Sequence, residues 1–60
     1  MPPFAYLESV RIRHAQRLIE AGKTLAEVAA ETGFSSQSHL TRRFKRVIGV
    51  TPGQYARQRG

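Results

Sequence analysis

Cysteine and aspartate are both missing from this chain of 60 residues, and each absence removes a class of explanation. Without cysteine there is no disulfide to staple a small fold and no thiolate for a zinc cluster. His14 and His39 stand alone, without the Cys/His spacing that a structural zinc requires, so neither a metal nor any other cofactor is expected. Without aspartate, the only acids are Glu8, Glu20, Glu27 and Glu31, spread at positions suited to capping or pairing. No base is placed near a nucleophile, and the chain does not read as an enzyme. No apolar run is long enough to span a bilayer, and no charged start leads into an apolar segment with a cleavage site. The expectation is a soluble, cytoplasmic protein, with which the lack of cysteine agrees. Strand-period alternation and hairpin dipeptides are missing as well, leaving an all-α fold.

A domain of this length buries only about 60% of the surface its unfolded chain exposes, so its core is small and depends on well-made helix ends. Charge is divided along the chain. Up to residue 35, Arg11, Arg13, Arg17 and Lys23 are balanced by the four glutamates; beyond it, Arg42, Arg43, Lys45, Arg46, Arg57 and Arg59 face no acid and supply the whole net charge of +6. A basic half on a neutral scaffold calls for a polyanion, nucleic acid first and an anionic membrane surface second. A solvated face that only aids solubility is the plain alternative.

Glycine and proline punctuate four helices. Phe4, Leu7, Ala15, Leu18 and Ile19 recur at helical spacing after Pro2-Pro3, predicting a first helix over residues 3–21 that Gly22 stops. In "TLAE", Thr24 caps a second helix and Glu27 reaches back to the cap's own N–H. Leu25, Val28, Ala29 and Thr32 form its apolar face before Gly33 ends it. Phe34 then plugs the core, and Ser35 or Ser36 caps a third helix running to Ile48 and Gly49. "TPGQ" repeats the capping logic with proline in the first turn, opening a short closing helix over residues 52–58. Residues 25–48 thus read as a helix-turn-helix within a homeodomain-like bundle of about four helices forming a single domain.

On the third helix, steps of about 100° gather Leu40, Phe44, Val47 and Ile48 on one side and Ser38, His39, Arg42, Lys45 and Arg46 on the other. An α-helix fits the major groove of DNA, where each base pair shows its own pattern of donors and acceptors. Arginine can bond guanine O6 and N7 together, glutamine can do the same at adenine, and serine or histidine can donate to either. Ser36, Gln37, Ser38, His39 and Arg42, in the first two turns, are therefore the base-reading candidates. Ser36 serves equally as a helix cap, Gln37 leans toward the core side, and His39 also fits an ordinary exposed histidine. Ser35, Arg43, Lys45 and Arg46 are assigned to DNA phosphates, which position a protein without reading sequence. Arg57 and Arg59 near the chain end add nonspecific attraction at most.

Residues 33–55, "GFSSQSHLTRRFKRVIGVTPGQY", closely resemble the signature of the AraC/XylS family of bacterial transcription regulators. The matching positions are Gly33, Phe34, Ser38, Leu40, Arg42, Phe44, Lys45, Gly49, Thr51, Pro52 and Tyr55. Leu7, Arg11, Ala15, Leu18 and Ile19 resemble the helix that precedes the family's second helix-turn-helix. Ala56 stands where family members usually carry arginine, which here follows as Arg57. The resemblance implies the linker helix plus the second of two DNA-binding units, with the first unit and any effector or dimerisation domain absent and Met1-Pro2 marking a cut end. It implies sequence-specific binding of double-stranded DNA with the third helix in the major groove, weak from this piece alone, and a monomeric fragment. A helical module docking on RNA polymerase or another protein is the alternative. RNA is less favoured, because Phe34, Phe44 and Tyr55 are expected in the core and leave no stacking platform.

Overall fold

Three glycines with positive φ, Gly22, Gly33 and Gly49, divide the chain into helices. The structure is a computed structural model that describes residues 4–59. The helices are α1 (Phe4–Glu20), α2 (Leu25–Thr32), α3 (Gln37–Ile48) and α4 (Pro52–Arg59). Pro2 and Pro3, placed before or in the first turn of α1 by the sequence, lie outside the described residues, as do the side chains of Phe4 and Arg59.

The ends of the helices follow local chemistry. Thr24 accepts the Glu27 N–H at 3.2 Å, and Glu27 accepts both the Thr24 hydroxyl at 2.9 Å and its backbone N–H at 3.3 Å. These bonds stabilise the ionised form, and so they hold the Glu27 carboxyl below its ordinary value of 4.5, the hydroxyl contributing most. Thr51 and Gln54 form the equivalent pair ahead of α4, at 3.0 and 3.2 Å. At the central turn Gly33 takes φ 81°, and both its N–H and that of Phe34 bond to the Ala29 carbonyl. A Cβ built on Gly33 would meet nothing within 4 Å, so the requirement for glycine is conformational rather than steric crowding by neighbours.

The core is made by one line on α1, Ile12, Ala15 and Ile19, against Val28 and Ala29 of α2 and Leu40 and Phe44 of α3. α1 packs on all three other helices. This line differs from the one the sequence suggests. Leu7 is 44% exposed, whereas Ile12, hidden in the sequence between Arg11 and Arg13, is fully buried. The positions facing inward along α1 are those four and three apart from Ile12, which makes Glu8 and not Leu7 the next inward residue toward the N-terminus. Val47, expected inside, is 38% exposed, because Leu40, Phe44 and Ile48 already set the inward line of α3. The one buried polar residue among those described, Thr32, donates to the Val28 carbonyl at 2.7 Å. Tyr55 locks α4 down: its hydroxyl donates to Glu20 and accepts from Gln16 at 3.0 Å, while its ring meets Phe44 edge-on at 5.7 Å.

Two outcomes follow for stability. Gly33→Ala is expected to cost roughly 1–2 kcal/mol, since a Cβ disfavours the left-handed region; chemical denaturation measures it. For the α2 cap, the sign is that of a depressed carboxyl: its contribution is complete above the ordinary value of 4.5 and is lost as pH falls through the lower folded value. The gap between the melting curves of the parent chain and Thr24→Ala should therefore narrow in acid, leaving the part due to the bond from the Glu27 N–H to the Thr24 hydroxyl, which does not titrate. A gap that stays constant would show that Glu27 is not linked to the cap.

Candidate nucleic-acid interface

The N-terminal half of α3 is built by two devices. Ser36, in extended conformation at φ −159°, caps the helix by accepting the His39 N–H at 3.1 Å, and Leu40 and Phe44 anchor it to the core. With those two side chains committed inward, the opposite side is turned to solvent. Gln37, Ser38, Arg42, Lys45 and Arg46 are all exposed. α3 contains no acidic residue. Arg42 forms no ion pair or side-chain hydrogen bond among the described residues, and with Gln37, Ser38, Thr41 and Leu25 it lines a shallow recess between α2 and α3. Gln37, read as leaning toward the core, is exposed beside it.

The remaining candidates are placed differently. Ser36 spends its hydroxyl oxygen on the cap. His39 is half-buried rather than outward: its ring meets Phe34 edge-on at 5.2 Å and its Nδ1 lies 3.2 Å from the Ser35 hydroxyl. Arg43 turns toward α1, with Nη1 3.4 Å from Glu8 Oε2. His39 and Arg43 nonetheless share a second open recess with Arg42 and Arg46, so the basic surface is continuous around α3. Lys45 and Arg46 stand in the last turn, where their charge also favours the helix dipole.

What this arrangement can do is bounded by its shape and sign. One helix, held at its rear by aromatic and aliphatic packing, presents amide, hydroxyl and guanidinium donors at its start and cations along its length. That is the form of an element that enters a groove of DNA.

Comparison with known proteins supports this form. A helix-turn-helix domain family model matches residues 1–58, and a protein of Streptomyces lividans named as a putative AraC-like transcription regulator is 44% identical over 54 residues. The chain belongs to the AraC/XylS family. That Streptomyces match takes in 88% of this chain and 18% of the relative. The HTH-type transcriptional regulator GlxA of Rhizobium meliloti is 42% identical over 52 residues, 85% of this chain and 16% of that protein. The virulence regulon transcriptional activator VirF of Yersinia enterocolitica is 42% identical over 53 residues, 87% of this chain and 20% of that protein. The chain thus spans about a fifth of the length of these relatives. No solved structure matches it significantly. No helix among the described residues is long and apolar enough to cross a membrane.

The residue that the sequence did not single out here is Glu8. Its signal was present, an acid four residues before Ile12 on the line that continues through Ala15 and Ile19. It stayed hidden while Leu7 was read as the inward residue. Arg42→Ala is expected to leave unfolding free energy within about 0.5 kcal/mol of the parent, as for exposed side chains without partners. A larger loss in urea titration would show that Arg42 serves the fold instead.

Proposed function

We propose that this chain binds double-stranded DNA sequence-specifically as the linker helix and second helix-turn-helix of an AraC-type transcription regulator. The observation that carries the reading is the exposed, unpaired Arg42 beside Gln37 and Ser38 on a helix with no acidic residue. In this reading the first two turns of α3 lie in the major groove. Arg42 takes the O6/N7 edge of guanine, Gln37 and Ser38 reach neighbouring edges, and Ser36 and His39 contribute through the atoms their internal bonds leave free. Ser35, Lys45 and Arg46 hold phosphates, Arg43 sits at the border of that set, and the setting is the cytoplasm. The chain acts as a binding module and not as an enzyme, monomeric as a fragment, with RNA polymerase as a further protein contact of the whole regulator.

Titration with a short duplex at low salt, followed amide by amide, tests the reading. Shifts should concentrate in residues 35–46 and fade as salt rises, because phosphate neutralisation releases counterions. Changes confined to α1, or indifferent to salt, would point to a protein partner instead. Once a preferred sequence is selected, Arg42→Ala should lose about 1–3 kcal/mol at one base pair. An unchanged preference there removes Arg42 from the reading set.

A further inference from the structure

Glu8 occupies a position that its charge makes unusual. It continues the inward line of Ile12, Ala15 and Ile19, and its side chain is only 10% exposed. A carboxylate so far withdrawn from water needs a cation, and removing that cation strands the charge. The cation is Arg43, reached across 35 residues of sequence at 3.4 Å, and itself 32% exposed. Leu7, Arg11, Phe34 and His39 line the same small cleft. Among the described residues Arg11 makes no bond to Glu8, and His39 is held by Phe34 and Ser35 on its far wall.

We propose that Glu8 is a positioning residue for DNA binding: through Arg43 it sets how the first half of α3 sits on α1, and it withholds Arg43 from the phosphates. The inference rests on the DNA-binding reading above. Arg43 lies one residue from Arg42 and one turn from His39, so a fixed Arg43 fixes the direction in which Arg42 leaves the helix. The leucine and phenylalanine anchors hold the depth of α3 against the core. The ion pair lies off that line, at the edge facing α1, and resists rotation of the helix about its own axis.

Salt dependence distinguishes a withheld arginine from one bound to phosphate, since each phosphate contact contributes about 0.9 to the slope of log affinity against log salt. The test uses this 60-residue chain, a generic duplex and fluorescence anisotropy across a range of salt. Four proteins are compared: the parent, Glu8→Gln, the double variant Glu8→Gln/Arg43→Gln, and Arg46→Gln as a phosphate reference. Circular dichroism checks folding. Glu8→Gln leaves no buried charge stranded and frees Arg43, so its slope should steepen by about 0.9. The double variant should keep the parental slope while Arg46→Gln loses about 0.9. In the free chain, Glu8→Gln should also shift the amide signals of His39, Arg42 and Arg43.

An unchanged slope in Glu8→Gln, or a double variant that loses as much slope as Arg46→Gln, would overturn the proposal by showing Arg43 on a phosphate. If the double variant does not fold, Glu8→Gln alone decides. If the parent binds no duplex at any salt, the DNA reading fails and the positioning role falls with it. The free-chain shifts would then still report whether Glu8 and Arg43 are joined.

Discussion

Leu40 and Phe44 are the fully buried side chains of α3, and the character of the exposed helix depends on where they go. Four residues apart on one face, they fit against Ile12, Ala15 and Ile19 of α1 and against Val28 and Ala29 of α2. Once they are seated, that face of α3 is committed to the core, and Ser38, Arg42, Lys45 and Arg46 are turned to solvent. A basic surface is thereby made from the residues that the core rejects. In a domain with so little apolar area to bury, that seating is also much of what makes the chain fold. Exposed charge and buried packing are therefore divided between the two sides of one short helix.

The electrostatic division is equally economical. The glutamates lie on α1 and α2, where they cap, pair or support packing: Glu27 at the α2 cap, Glu31 near Lys23, Glu20 under Tyr55 and Glu8 under Arg43. None lies beyond residue 31. The field over α3 is consequently positive without a neighbouring acid to cancel it, apart from the nearly buried Glu8. A polyanion approaching this side meets attraction before it meets shape.

Much of this was legible in order along the chain. Glycine after a periodic apolar segment, threonine three residues before glutamate or glutamine, and proline behind a cap are local devices. Their partners lie within a turn, so Gly22, Gly33, Gly49, Thr24 and Thr51 needed no tertiary information, and neither did the buried face of α2. Less legible was anything that depended on which way a helix is rolled. Leu7 and Ile12 are both apolar and both fit a helical repeat with Ala15 or Ile19, and periodicity alone does not choose between them. Val47 met the same difficulty, and so did His39, which a helical wheel places outward although Phe34 and Ser35 hold it to the side.

The sequence by itself determined the four helices, the turns that separate them, the confinement of net positive charge to the second half and the resemblance that names the family. These rest on spacing and on contacts between near neighbours. Only the tertiary structure decided that Ile12 rather than Leu7 enters the core, that Arg43 meets Glu8, and that Arg42 stands free where Arg43 does not. The physical reason is common to all three: helix–helix packing sets the zero of each helix's rotation, and one step of about 100° around that axis carries a side chain from partner to solvent.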